Sequence, residues 1–293
     1  MQNSTPLRSG FSGLWLPLIT PFNDGAPDLP ALTRLVHRYA KAGVTGFVVC
    51  GSTGEAAALN EREQREVLKT VLAACGGLPV VMGVSGYHLP QTLAWVTALA
   101  DFPLAGLLVP APCYVRPSQA GLLHWFGAIA DASRSPLIIY DIPYRTGATI
   151  ELKTLIELSG HPNIEAIKDC GGNAAKTQAL IALGTLAVLA GEDTQIFSTI
   201  AVGGAGAITA SAHLYTKAFA DVIQHLANGD LAKAQHAWAP LPDVIAAMLD
   251  EPNPASIKAA LAMHGLIKNE LRVPMTAATR QVSALLSGPT ALS

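Results

Sequence analysis

The chain has 293 residues, of which 50% are hydrophobic and 14% charged, so it has enough apolar material for a large buried core. Its 19 basic and 21 acidic residues nearly cancel, which argues against binding to nucleic acid or to a membrane surface. The 4 cysteines lie far apart without zinc-site spacing, and the N-terminal residues lack the apolar segment of a signal peptide. We therefore expect a cytoplasmic protein that acts on small molecules.

Short apolar runs recur along the chain, each followed by glycine or proline and then by a helical pattern. Eight such runs begin at Leu14, Gly46, Pro79, Ala105, Pro136, Ile164, Leu186 and Gly206. The segments between them, such as NEREQREVLKTVLAAC, carry apolar residues at helical spacing. Continuous apolar strands that alternate with helices predict a parallel sheet closed into a (β/α)₈ TIM barrel, over residues 1–213. Only helical patterns remain from Tyr215 onward, which predicts a C-terminal helical extension over residues 214–293.

Polar residues at the ends of the predicted strands are the candidates for chemistry, because barrel active sites lie at the C-terminal ends of the strands. The candidates, in chain order, are the segment from Gly51 to Glu55, which contains Ser52 and Thr53, then Tyr114, Tyr140 and Lys168, and the segment Gly191, Glu192 and Asp193. We expect these side chains to converge at one rim of the barrel.

Lys168 shares one face of its strand with Ile164 and Ala166, because side chains alternate along a strand. If Ala166 points into the barrel, the lysine amine does so too; the alternative is an ordinary lysine that reaches water. An amine among apolar residues is more readily deprotonated and can attack a carbonyl carbon to form a Schiff base. The 8 histidines form no close ligand pair, so we expect no metal and no other cofactor.

The other candidates each have a functional and a structural interpretation. Tyr140 is predicted to lie one strand from Lys168 and to carry a proton, although a strand-end tyrosine is also a common core residue. Ser52 and Thr53, flanked by glycines, could bind a carboxylate, and Thr53 also fits a helix N-cap. Arg145, in IPYRTG, could clamp a second carboxylate with its planar fork or form a surface salt bridge.

Six motifs in order resemble those of the dihydrodipicolinate synthase and N-acetylneuraminate lyase superfamily. They are GSTGE, CYVRPSQAGL, YDIPYRTG, EAIKDCGGN, the glycine-rich segment before ITASAH, and EPNPASIKAAL. The resemblance implies that Lys168 forms a Schiff base with pyruvate and that Tyr140, Ser52 and Tyr114 form a proton relay.

The same resemblance assigns substrate-binding residues and an oligomer. Thr53 and Ile208 match positions that hold the pyruvate carboxylate and line its pocket, and Gly191 is also assigned to substrate binding. The equivalent of Tyr114 reaches into the site of a neighbouring subunit in this family. A homodimer or homotetramer is therefore expected, with pyruvate and a small aldehyde as substrates.

Arg145 and the NPxxxK pattern of Asn253 and Lys258 resemble the 4-hydroxy-tetrahydrodipicolinate synthases, although Ser52 stands where these usually carry threonine. The resemblance implies a lyase that condenses pyruvate with L-aspartate 4-semialdehyde in diaminopimelate and lysine biosynthesis, with the arginine on the semialdehyde carboxylate. One alternative is an N-acetylneuraminate lyase or an aldolase for a 2-keto-3-deoxy sugar acid. Another is a non-catalytic barrel that binds a keto acid.

Overall fold

The structure, a computed structural model, describes residues 10–279 together with Leu286 and Leu292. Its strands are β1 (Gly13–Pro17), β2 (Phe22–Asn23), β3 (Ala26–Pro27), β4 (Gly46–Val49), β5 (Val80–Gly83), β6 (Gly106–Pro110), β7 (Leu137–Asp141), β8 (Ile164–Asp169), β9 (Ala187–Ala190) and β10 (Gly206–Ile208). Strands β1 and β4 to β10 hydrogen-bond in a closed order, β1-β10-β9-β8-β7-β6-β5-β4, which confirms the predicted (β/α)₈ barrel. Strands β2 and β3 form a separate antiparallel hairpin, which the sequence pattern did not predict.

Helices follow the barrel strands in the described part of the chain. They are α1 (Leu29–Ala40), α2 (Glu61–Ala74), α3 (Leu89–Ala98), α4 (Gln119–Ala132), α5 (Pro143–Thr146), α6 (Leu152–Leu158), α7 (Ala174–Leu183), α8 (Ile196–Ala201), α9 (Thr216–Ala227), α10 (Leu231–Trp238), α11 (Leu241–Met248) and α12 (Ala255–Met263). Short 3₁₀ turns lie at Ala56–Ala58, Asp193–Gln195 and Ser211–His213. None of the helices in these ranges is both long and apolar enough to cross a membrane.

The chain divides by its internal contacts into two compact units. The first contains Gly83–Ala207 and the described residues up to Ser12; the second contains Gly13–Met82 and the chain from Ile208 onward. The predicted division between residues 213 and 214 stays a prediction.

In the first unit, every residue of β7 is buried, as expected for a strand covered on both faces. Strands β7 and β8 run parallel, and their register pairs Tyr140 with Lys168 and Asp141 with Asp169. Helix α4 begins at the Ser118 N-cap, whose hydroxyl accepts from the Gly121 N–H. The unit thus fixes the ends of β7 and β8 side by side.

In the second unit, helix α2 begins with a capping box in which the side chains of Asn60 and Glu63 each accept from the other's backbone N–H. Helix α1 buries one apolar face, which includes Leu35 and Tyr39. The Tyr39 hydroxyl donates to the His213 carbonyl at 3.1 Å, and this ties α1 to the turn that follows β10.

Candidate active site

Lys168 and Tyr140 are direct neighbours at the ends of β8 and β7. Paired residues of a parallel sheet project to the same side, and the Lys168 Nζ lies 4.4 Å from the centroid of the Tyr140 ring. Lys168 is 6% exposed, and Ala166 on the same face is fully buried. The interpretation of Lys168 as a lysine that reaches water is therefore wrong. The pair places a nucleophilic amine beside a phenol that can carry a proton.

The backbone that follows β9 passes so close to Lys168 that only a glycine, Gly191, fits at this position. A Cβ at this position would lie 2.9 Å from the Lys168 Cγ and 2.4 Å from the Cys170 Sγ. The Gly191 N–H donates to the Asp169 carbonyl at 2.9 Å, which holds it against the end of β8. A side chain here would displace the lysine stem.

A buried charged cluster lies on the opposite side of β7 and β8 from Tyr140 and Lys168. Asp141 and Asp169 are each one residue further along their strands, so their side chains point the other way. Asp141 forms an ion pair with Lys176 of α7, and Asp169 accepts from Thr177. Burial raises the pKa of Asp141, and Lys176 opposes that rise. The cluster anchors the two strand ends that carry Tyr140 and Lys168.

A second polar group lies around Glu192, which follows Gly191. The Tyr144 hydroxyl and the Cys170 thiol lie near the Glu192 carboxylate, and the Glu192 Oε1 is buried without a hydrogen-bond partner among the described residues. Partial loss of solvent contact is the main reason that the pKa of each of these two groups is raised, and the nearby Glu192 charge raises it further, so both remain protonated. The Arg145 guanidinium carbon lies 5.9 Å from the Tyr144 ring centroid. This group places a carboxylate and an exposed guanidinium near Tyr144.

Tyr114 is 91% exposed, in a loop with a constrained backbone. Its φ is 74° and that of Arg116 is 45°, values that non-glycine residues seldom adopt. The Arg116 side chain lies over Gly147, where a Cβ would be 2.8 Å from the Arg116 Nε. The loop therefore presents an aromatic side chain to solvent from a fixed backbone.

In the second unit, Thr53 is buried while its neighbour Ser52 is exposed. The Thr53 Oγ1 accepts from the Asn253 Nδ2 at 3.0 Å. The following 3₁₀ turn has Glu55 at its N-cap and no side-chain cap hydrogen bond, so the N-cap interpretation of Thr53 is wrong. The Gly54 carbonyl accepts from the Thr20 hydroxyl at 2.8 Å. Both contacts fix the loop that carries Thr53.

Glu55 holds the far side of this loop from a left-handed backbone conformation, with φ 53°. One carboxylate oxygen pairs with the Lys258 ammonium and the other accepts from the Arg272 N–H at 3.1 Å. The Arg272 side chain in turn makes a bidentate contact with Glu63, which holds the pKa of Glu63 at about 2. Residues of the C-terminal segment thus lock the Thr53 loop in place.

The last predicted site residue, Ile208, ends β10 and is fully buried. The hydroxyl of the next residue, Thr209, is also buried and has no hydrogen-bond partner among the described residues. In the described part of the chain, no three His, Cys, Asp or Glu side chains are grouped so that they could hold a metal ion.

Comparison with known proteins gives the family. Residues 10–287 match the model of the dihydrodipicolinate synthetase family. The chain belongs to this family.

Relatives in this family match the chain over most of their own length. It is 36% identical over 267 residues to the 4-hydroxy-tetrahydrodipicolinate synthase 2 of Clostridium acetobutylicum, a match that covers 90% of the chain and 93% of the relative. It is 34% identical over 268 residues to the 4-hydroxy-tetrahydrodipicolinate synthase of Trichlorobacter lovleyi. This match covers 90% of the chain and 92% of the relative.

Solved structures of the dihydrodipicolinate synthetase family have the same fold. The dihydrodipicolinate synthase of Thermotoga maritima superposes with a TM-score of 0.90 at 28% identity, and the match covers 94% of this chain and 96% of that one. The chloride-inhibited dihydrodipicolinate synthase of Acinetobacter baumannii in complex with pyruvate superposes with a TM-score of 0.89 at 30% identity. This match covers 92% of this chain and 94% of that one.

For Arg145 the sequence allows two roles, a contact with a substrate carboxylate and a surface salt bridge. Arg145 is exposed, and the ion pairs among the described residues do not include it, so the structure gives no support to the surface salt-bridge interpretation. Of the two residues near it, Glu192 is among the strand-end candidates indicated by the sequence, and Tyr144 is not. Tyr144 lies inside the short helix α5 and does not directly follow the end of β7, so the strand-end pattern does not indicate it.

Proposed function

We propose that the chain condenses pyruvate with L-aspartate 4-semialdehyde to form 4-hydroxy-tetrahydrodipicolinate, through a Schiff base on Lys168. The observation that carries the proposal is the register of Tyr140 with Lys168, which puts the amine 4.4 Å from the phenol ring in a buried site. The family and the names of its relatives support the choice of substrates.

The proposed reaction begins when the Lys168 amine attacks the C2 carbonyl carbon of pyruvate. The carbinolamine loses water to give an iminium ion, which draws electrons from C3 so that a C3 proton can leave. The resulting enamine attacks the aldehyde carbon of the semialdehyde, and the substrate's own amine then displaces Lys168 as it closes the ring. Tyr140 carries protons in these steps. The iminium ion is the electron sink, so the proposal assigns no metal and no other cofactor.

The remaining roles are assigned by carboxylate chemistry. Thr53 holds the pyruvate carboxylate, with Gly191 and Ile208 lining the pyruvate pocket. Arg145 binds the carboxylate of the semialdehyde, because an exposed guanidinium without an ion-pair partner among the described residues is free for a bidentate contact. Ser52 and Tyr114 complete the proton relay with Tyr140.

We also propose that the active form is a homodimer or a pair of dimers. Support comes from Tyr114, a residue that is 91% exposed and has a backbone φ of 74°. An exposed aromatic side chain on a constrained loop is typical of an interface anchor. All 4 cysteines belong to the described residues and are free, which supports a cytoplasmic location.

Borohydride trapping tests the imine. Pyruvate with borohydride should add mass to the tryptic peptide that contains Lys168, and Lys168→Ala should abolish the label. A label that persists in Lys168→Ala, or that lies on another lysine, contradicts the assignment.

Steady-state kinetics test the acceptor, with aspartate semialdehyde beside N-acetylmannosamine and glyceraldehyde. We expect turnover with aspartate semialdehyde, and Arg145→Ala should impair use of this substrate far more than pyruvate trapping, with Arg145→Lys intermediate. Preference for a sugar aldehyde would instead support the sugar-acid aldolase.

A further inference from the structure

Asn253 makes a hydrogen bond that determines what the Thr53 hydroxyl can do. A hydroxyl has one proton to donate and two lone pairs that accept. The Asn253 Nδ2 donates to the Thr53 Oγ1 at 3.0 Å, so the hydroxyl acts as the acceptor in this contact. Its own proton is then directed to another acceptor.

Among the described residues, the Asn253 side-chain amide forms this hydrogen bond and no second one through its oxygen. Asn253 lies in the connection between α11 and α12, and its Oδ1 is buried without a hydrogen-bond partner among the described residues. Among the described residues, the side chain that bonds to this amide is therefore that of Thr53, which lies 200 positions away in the chain.

The surrounding contacts fix the backbone of the loop, so the orientation of the Thr53 hydroxyl is what can still change. Thr20 holds the Gly54 carbonyl, and Lys258 with the Arg272 N–H holds the Glu55 carboxylate. With the backbone after Thr53 fixed in this way, rotation of the hydroxyl decides whether it donates or accepts toward a ligand.

We infer that Asn253 is a positioning residue that turns the Thr53 proton toward the carboxylate of pyruvate. The inference rests on the proposed function, in which Thr53 binds that carboxylate. A hydroxyl that already accepts from an amide N–H donates to an anion more strongly, because hydrogen bonds in a chain polarise one another. Asn253 acts through Thr53 and does not touch the reacting atoms.

The test is a double-mutant cycle on the full chain, read as the pyruvate concentration that gives half-maximal borohydride trapping. Asn253→Asp keeps the size of the side chain but only accepts hydrogen bonds, so it takes the Thr53 proton for itself. We expect it to raise the half-maximal concentration by about 10- to 100-fold, the range for a lost hydrogen bond to a charged group. In the Thr53→Val background no hydroxyl remains to be reoriented and only the repulsion of the new carboxylate acts, so the same substitution should raise it by a factor at least about fivefold smaller.

The outcomes separate the possible failures. An equal effect in both backgrounds means charge repulsion alone and overturns the inference, as does no effect in the Thr53 background. If Asn253→Asp does not fold, Asn253→Ala replaces it in the cycle, and absence of coupling there also overturns the inference. Thr53→Val with unchanged trapping would remove the carboxylate role of Thr53 and the inference together, while imine formation on Lys168 would stand. Thr53→Ser, which keeps the hydroxyl, should trap within about threefold of the unmodified chain.

Discussion

Lys258 and Glu55 form an ion pair inside the fold, with 0% and 2% of their side chains exposed. Burial lowers the pKa of Lys258, and the Glu55 carboxylate opposes that effect. The Lys258 Nζ also lies 4.2 Å from the Phe22 ring centroid and donates to the Glu270 carbonyl at 2.9 Å. The pair therefore joins α12, the chain beyond it and the loop that carries Thr53.

Lys258→Met should lower the free energy of unfolding by about 3–5 kcal/mol, because it leaves the Glu55 carboxylate buried without its cation. Adding Glu55→Gln removes that charge and should restore part of the loss. Urea unfolding at pH 7 measures both variants. If the double variant is less stable than Lys258→Met alone, the ion pair is not the source of the effect.

The pair of Lys176 with Asp141 predicts a similar loss in the first unit. Both side chains are buried, and the Asp141 Oδ1 has no hydrogen-bond partner among the described residues, so Lys176 is the main compensation for the carboxylate. Lys176→Met should therefore cost about 3–5 kcal/mol in urea unfolding. The control is Lys217→Met, which breaks an exposed pair with Asp221 and should change stability by less than about 1 kcal/mol. Equal effects of the two variants would contradict the role of burial.

The barrel could be predicted from the sequence because its strands are buried on both faces and read as continuous apolar runs. Strand β7, for example, overlaps the apolar run PLIIY that begins at Pro136 and extends one residue beyond it, to Asp141. The hairpin of β2 and β3 could not, since strands of two residues show no periodicity. Its Asp24-Gly25 turn was the available signal, and without apolar runs on either side it was weak.

The candidate site, too, could be predicted from the sequence only in part. Tyr140 and Lys168 were found because strand ends of a parallel barrel meet at one rim, a rule that needs only local pattern. The partners of Thr53 and Glu55 could not be found, because Asn253 and Lys258 lie 200 and 203 positions further along the chain. Such long-range pairs are set by packing and leave no trace in local spacing.

Tyr140→Phe should keep the fold and slow turnover with pyruvate and aspartate semialdehyde by about 10²- to 10⁴-fold, the range for a positioned proton carrier. Tyr39→Phe is the matched control, because it removes a buried hydroxyl that donates to the His213 carbonyl. That control should cost about 1 kcal/mol of stability and leave turnover unchanged. Near-normal turnover in Tyr140→Phe would make Tyr140 a packing residue.

His213 predicts how stability depends on pH. Its Nδ1 donates to the Ala210 carbonyl at 2.8 Å, and its Nε2 accepts from the Ile19 N–H at 3.2 Å, so the ring is neutral with both nitrogens in use. Burial lowers the pKa of His213 from 6.5 to about 4. Between these two values the unfolded chain binds the proton and the folded chain does not, so stability falls as the pH falls from about 6.5 to about 4.

A depression of this size corresponds to about 3 kcal/mol, at about 1.4 kcal/mol for each pKa unit. Urea unfolding at pH 7.5 and at pH 4.5 should therefore show a decrease that is smaller in His213→Gln by about 2 kcal/mol, because glutamine has a donor and an acceptor but does not titrate. His124→Gln, at an exposed position on α4, serves as the control and should follow the unmodified chain. Parallel curves for the unmodified chain and His213→Gln would mean that other groups set the acid limit, and the neutral ring would then contribute to packing alone.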